Sequence, residues 1–233
     1  MAIRLCFPTI TVEKSYLNKE QDFRKGMTSE YFAMCKKEID AMRKRDPKGR
    51  TRSNQGHGWQ SNDGIDDNPI FNKLMREIRR VVSQEMMPYM GAEPGTAECV
   101  LHNSWANINY QFGWNAPHLH NGCFYSGVCY IHADGDEGAI RYIDTHSKVV
   151  GNCPNLPRMR ESVHHQPKTG DLFLFPSGLM HMVEPNTTEK DRYSISFNLE
   201  VDERNLRIKP DRRLRRENAE FIYEIDAEGK VIS

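Results

Sequence analysis

The chain has 233 residues, enough for one sizeable domain with room for a helical appendage. Its 32 lysines and arginines balance 32 aspartates and glutamates, so net charge gives no reason to expect a nucleic acid or an anionic membrane as partner. Six cysteines, at positions 6, 35, 99, 123, 129 and 153, form no CxxC pair. That spacing fits neither a zinc knuckle nor a disulfide framework and predicts free thiols in a cytoplasmic protein.

No segment carries the ~18–20 apolar residues that span a bilayer, and residues 1–21 hold no apolar run of signal-peptide length. The chain opens with IRLCFPTITV, a strand pattern interrupted by Pro8. In TSEYFAMCKKEIDAMRKRD, residues Tyr31, Met34, Cys35, Ile39 and Met42 recur at steps of three and four, which predicts an amphipathic helix capped at Thr28 or Ser29. The stretch 46–67 is rich in Gly, Ser, Asn and Arg and reads as loop, with Trp59 as an aromatic anchor. Asn68-Pro69 then starts a second helix, with Asn as N-cap and Pro in the first turn. Its apolar stripe is Ile70, Leu74, Ile78, Val81 and Val82, and it should end near Met90-Gly91.

From Ala97 the pattern changes to short strands: AECVLHNSWANINYQF, CFYSGVCYIH, GAIRYID, DLFLFP and YSISFNLEV. The turn signals GWNAP, ADGDEG, PKTGD and PNTTEKD separate them. Strands at this spacing predict a sandwich or jelly roll, mainly β with flanking helices, and not a parallel sheet. The segment 146–166 is long, polar and proline-containing, as lids often are. The tail RIKPDRRLRRENAEFIYEID starts with a basic cluster, either a solvated face or a site for an acidic partner, and ends in a strand-like run. The predicted organisation is one domain over 1–233: strand, helices and loop in 1–96, a jelly-roll core in 97–202 and a tail in 203–233.

Chemistry concentrates in four residues. His118 and His120 are separated by one residue, so on a strand both would project from one face. His181 follows 181 − 120 = 61 residues later, behind the apolar run GDLFLFPSGLM. Arg192 opens RYSISF, where Arg192, Ser194 and Ser196 share a face. Taken singly, the histidines can be surface or structural residues, and Arg192 a surface group or half of an internal salt bridge. Together they describe a metal held from one side, its other side open to ligands, beside a guanidinium that needs an anion if buried. A bidentate carboxylate would satisfy that guanidinium, with the Ser194 hydroxyl as a further donor.

The ordered series WANIN (105–109), PHLHNG (117–122), YSGVCYI (125–131), GAIRYID (138–144), GDLFLFPSGLMHMVEP (170–185) and RYSISFN (192–198) resembles the 2-oxoglutarate- and Fe(II)-dependent oxygenase superfamily. Within it the chain is similar to a branch seen in bacteria and phages, as is the loop GWQSNDG (58–64). The resemblance implies a double-stranded β-helix (jelly roll, cupin-like). It implies His118 and His181 as ligands of Fe(II), and Arg192 and Ser194 as holders of the distal carboxylate of 2-oxoglutarate. Tyr130 would bind the same carboxylate, and Asn107 or Asn109 would face the co-substrate. Position 120 departs from the superfamily, which has a carboxylate where this chain has His120. Three neutral histidines would leave the ferrous site at charge +2 instead of about +1, and imidazole remains a competent iron ligand. The set His118, His120 and His181 is therefore expected as catalytic metal ligands, with His120 beside the metal but not on it as the rival arrangement.

The implied activity is a dioxygenase of the EC 1.14.11 type. It would hydroxylate an unidentified small molecule or peptide with O2, releasing succinate and CO2. A cupin-type metal dioxygenase without 2-oxoglutarate and a non-enzymatic jelly-roll binding module are the alternatives. The oligomeric state expected is monomer or homodimer.

Overall fold

The computed structural model describes residues 12–17, 26–143, 162–202, 204–207, 224–225 and 231–232. The expected first strand before residue 12, most of the 146–166 segment and the basic part of the tail lie outside these.

Two antiparallel sheets form the core. The six-stranded sheet has the order β1-β9-β6-β11-β4-β3. Its strands are β1 (Val12–Ser15), β3 (Gly58–Gln60), β4 (Glu98–Asn109), β6 (Tyr125–His132), β9 (Asp171–Pro176) and β11 (Arg192–Asp202). The five-stranded sheet has the order β2-β5-β10-β7-β8. It is built from β2 (Asn54–Gln55), β5 (Trp114–His118), β7 (Ile140–Ile143), β8 (Ser162–His165) and β10 (His181–Val183). Two facing antiparallel sheets with strands alternating between them make a double-stranded β-helix. A separate hairpin pairs β12 (Glu224–Ile225) with β13 (Val231–Ile232).

The outer face of the larger sheet is covered by helices. Helix α1 (Ser29–Arg45) is capped by Thr28, whose hydroxyl accepts from the Tyr31 N–H. It buries Tyr31, Phe32, Cys35 and Ile39. Met34, expected in this stripe, is instead 45% exposed. At ~100° per residue it falls about 100° from the centre of the face defined by 31, 35, 39 and 42, and Phe32 takes the buried place. The second helix is α2 (Asn72–Val81), preceded by a 3-10 turn over Pro69–Phe71 whose Ile70 N–H donates to the Asn68 side-chain oxygen. It continues through a π-type turn (Val82–Met86) into Met87–Tyr89. Pro88 lacks the N–H that would close a regular turn there, which accounts for the wide turn just before it. Phe71, Leu74, Ile78 and Val82 from this helix pack with Tyr193, Ile195 and Phe197 of β11 in one apolar core.

The structure corrects several sequence expectations. GWNAP is not a turn between strands. The chain reverses earlier, at Tyr110–Gly113, where the Gly113 N–H donates to Tyr110 O and Phe112 adopts φ 65°. Residues 114–118 then run as β5, paired on both sides by β2 and β10. The predicted 46–67 loop contains β2 and β3, and Trp59 pins it by donating its indole N–H to Asp46 O at 2.8 Å. Residues 162–165, expected as loop, pair with β7. Among the described residues no helix is long and apolar enough to cross a membrane.

A candidate metal site beside a buried arginine

Alternation along β11 turns Tyr193, Ile195 and Phe197 to the helices and Arg192, Ser194 and Ser196 to the space between the sheets. That space is a cavity of about 480 Å³ counting its open mouth, lined among others by the three histidines, Asn107, Tyr130 and Arg192.

His118 is the last residue of β5, and His181 is the first of β10. The register sets them directly opposite each other. His120 lies beyond the end of β5, so the expected strand geometry for the HxH pair holds only for its first member. A turn brings His120 back, fixed by its own N–H donating to Ser177 O at 2.8 Å. The rings nevertheless converge: centroids are 4.3 Å apart for His118–His181 and 5.1 Å for each pair with His120. One ligand nitrogen from each lies within 4.8 Å of the others, as a single metal ion requires. No carboxylate joins this group among the described residues.

Hydrogen bonds settle which nitrogen faces inward. His118 Nδ1 is 2.6 Å from Ala116 O, and His181 Nδ1 is 2.8 Å from Leu179 O. A carbonyl only accepts, so Nδ1 carries the proton and Nε2 keeps its lone pair for a metal. His120 Nδ1 meets the Asn198 side-chain oxygen at 2.5 Å. All three imidazoles are held below their ordinary pKa, chiefly by burial. The shift is largest for His181, pushed down to about 3 by desolvation and then by His118. Neutral imidazole is the form that ligates.

Arg192 is 1% exposed and is the largest fully buried side chain among the described residues. Its Nη1 donates to Glu137 O and, at 2.8 Å, to Gly138 O. Its Nη2 is buried with no partner, and so is the hydroxyl of Tyr130 on the neighbouring strand β6. Burial lowers the Arg192 pKa, yet a guanidinium stays charged in proteins. Among the described residues no carboxylate pairs with it, and its Nη2 has no partner. A buried cation and two unpartnered donors in one cavity form a cradle for an anion. Gly138 makes the cradle possible: at φ 95° its Cβ would meet Glu184 O at 2.5 Å and Arg192 Nη1 at 3.0 Å.

The register row Asn107↔Ser194↔Tyr130 crosses three strands. Asn107 donates to Ser196 Oγ at 3.1 Å and leaves its own oxygen unpartnered. Asn109 turns instead to Asn115. Sequence reasoning missed Asn198, although it continues the 192, 194, 196 alternation. It also missed Trp105, whose ring stacks on His120 at 5.8 Å, and the Glu137–Gly138 shelf, which sits in a turn with no periodic signal.

Residues 103–198 match the family model described as "Putative 2OG-Fe(II) oxygenase". A search of curated proteins finds no match. Among solved structures, a prolyl-4-hydroxylase of Pseudomonas putida aligns with a TM-score of 0.52 at 14% identity, over 82% of this chain and 91% of that one. HygX of Streptomyces hygroscopicus, solved with nickel and 2-oxoglutarate bound, gives 0.53 at 13% identity over 82% and 83%. The carbocyclase SnoK from nogalamycin biosynthesis gives 0.54 at 11% identity over 96% and 89%. These likenesses establish the shared fold.

Proposed function

We propose that this chain is a 2-oxoglutarate- and Fe(II)-dependent oxygenase, a reading supported by the family-model match over residues 103–198, and that it hydroxylates a small molecule or peptide at a ferrous centre held by His118, His120 and His181. When bound, Fe(II) and 2-oxoglutarate supply the oxidation of a substrate C–H bond by O2, with release of succinate and CO2. The single observation that carries the assignment is the coexistence in one cavity of three inward-facing imidazoles and an arginine with a free, buried Nη2.

The protein's own contribution is position. His118 and His181 offer Nε2 because their Nδ1 protons are tied to backbone carbonyls. Arg192 and the Tyr130 hydroxyl receive the distal carboxylate of the co-substrate, and Ser194, paired in register with Tyr130, lies two residues beyond Arg192 on the same strand. Asn107 lines the same cavity with its side-chain oxygen unpartnered, ready to accept from a co-substrate-bound water or a substrate donor. Phe175, 4.5 Å from His181 by ring centroids, keeps water from that side of the metal group. The oxygenase domain is the whole of 1–233 with its catalytic core in 97–202, to which β2 and β3 contribute an edge each, and we assign it to the cytoplasm as a monomer or homodimer.

The test is anaerobic calorimetry of 2-oxoglutarate into Fe(II)-loaded protein. The parent binds, and Arg192→Ala loses most of the affinity with iron binding intact. Equal co-substrate affinity in parent and variant removes Arg192 from the role.

A further inference from the structure

Resting on the metal assignment above, we infer that Asn198 is a positioning residue that sets the tautomer and aim of His120. The three imidazoles are not held alike. His118 and His181 are each locked by the carbonyl two residues earlier in their own chain, a bond that the backbone supplies whatever the neighbouring side chains are. His120 sits past the end of β5 and has no such carbonyl. Its Nδ1 meets a side chain, Asn198 Oδ1, at 2.5 Å.

That oxygen belongs to a built network. It also accepts from the Ser126 hydroxyl at 2.7 Å, while Asn198 Nδ2 donates to Asn103 Oδ1 at 2.7 Å. The trio stands in cross-strand register on three neighbouring strands, Asn103↔Asn198↔Ser126. Ser126 is fully buried and Asn198 nearly so. The β11–β4 register shifts immediately after Asn198, and such a bulge re-aims the side chain at its edge.

The chemistry explains why the network is needed. A carboxylate ligand presents an oxygen whichever way it turns. An imidazole presents a lone pair at one nitrogen only, so a partner must hold the proton on the other. With its oxygen anchored by Ser126 and its amide by Asn103, Asn198 can accept from His120 Nδ1–H, which leaves Nε2 facing the other two rings. Being uncharged, it does so without adding a buried charge beside the metal.

The experiment reads Co(II) affinity and its d–d absorption spectrum, with the metal alone and no turnover. The proteins are the full-length parent, Asn198→Leu, Asn198→Asp, His120→Ala and the His120→Ala/Asn198→Leu double variant. We expect Asn198→Leu to bind Co(II) about 10–100-fold more weakly, with an altered spectrum. Asn198→Asp, which keeps the acceptor, should bind close to the parent. The double variant should bind no more weakly than His120→Ala, because a residue acting through His120 has nothing to act on in its absence. If Asn198→Leu does not fold, Asn198→Ala is read the same way. The inference is overturned if Asn198→Leu keeps parent affinity while His120→Ala loses it, if Asn198→Asp is as weak as Asn198→Leu, or if the two losses add. Parent affinity in His120→Ala would instead overturn the ligand role of His120, and the inference with it.

Discussion

On the six-stranded sheet, Asn107, Ser194 and Tyr130 stand in one row set by the backbone pairing of the long strands β4, β11 and β6, with a register shift in the β11–β6 pairing just before Ser194. On the five-stranded sheet, β5 and β10 have only five and three residues, and His118 and His181 owe their aim to single bonds from Nδ1 to a nearby carbonyl. The first region positions by register and the second by local hydrogen bonds. Damage to the first should therefore spread through the sheet and touch folding. Damage to the second should stay at the metal group.

The largest separation between the two should come from His181→Ala. We expect metal affinity to fall by about 100-fold or more, beyond the range seen for outer partners of a ligand, with little change in thermal stability; titration with Fe(II) or Co(II) and a melting curve check both. Arg192→Ala should do the reverse. 2-Oxoglutarate affinity should fall by about 30–100-fold, the size of a charge-assisted pair of hydrogen bonds, while metal affinity holds. Its loss also strips two carbonyls of a buried partner, so the melting temperature should drop. Gly138→Ala should give a weaker copy of that phenotype, since a Cβ there presses on the guanidinium and on two carbonyls at once.

The pH dependence sharpens the same contrast. The folded His181 is depressed to about 3 from an ordinary value of 6.5. Below 6.5 the unfolded chain takes up the proton and the folded chain does not, so stability falls as pH falls from 6.5 toward 3. Without metal the slope should be about 1 kcal/mol per pH unit from this group, and shallower in His181→Leu, as urea unfolding at several pH values would show. A parent and variant with the same slope would contradict the depressed value. The smallest effect should lie outside both regions: Thr28→Ala removes the cap of α1 and should cost about 1 kcal/mol, with no change in metal or 2-oxoglutarate binding.

The same division governs what could be read in the sequence. Long strands announce themselves by alternation, and RYSISF shows at once which residues share a face with Arg192. Short strands do not. β5 follows Gly113 and carries Asn115 and Pro117, so it reads as a turn; it is a strand because β2 and β10 flank it. β2 and β3 are two and three residues long and exist by virtue of their partners. The HxH spacing pointed to two ligands on one strand, whereas His120 reaches the group from a turn. Asn198 was within reach, one more step of the alternation already in view, but its link to His120 spans 78 residues and belongs to tertiary structure. The same holds for the Glu137–Gly138 shelf beneath Arg192, set by a turn whose composition suggested nothing more than a hairpin.

The most direct test of the account is an anaerobic titration of Fe(II) and then 2-oxoglutarate, followed by visible absorption for the charge-transfer band of the chelate. The account predicts the band in the parent, none in His181→Ala, and in Arg192→Ala a band that needs far more 2-oxoglutarate to appear. Iron that binds the parent stoichiometrically while no band forms at any 2-oxoglutarate concentration would contradict it.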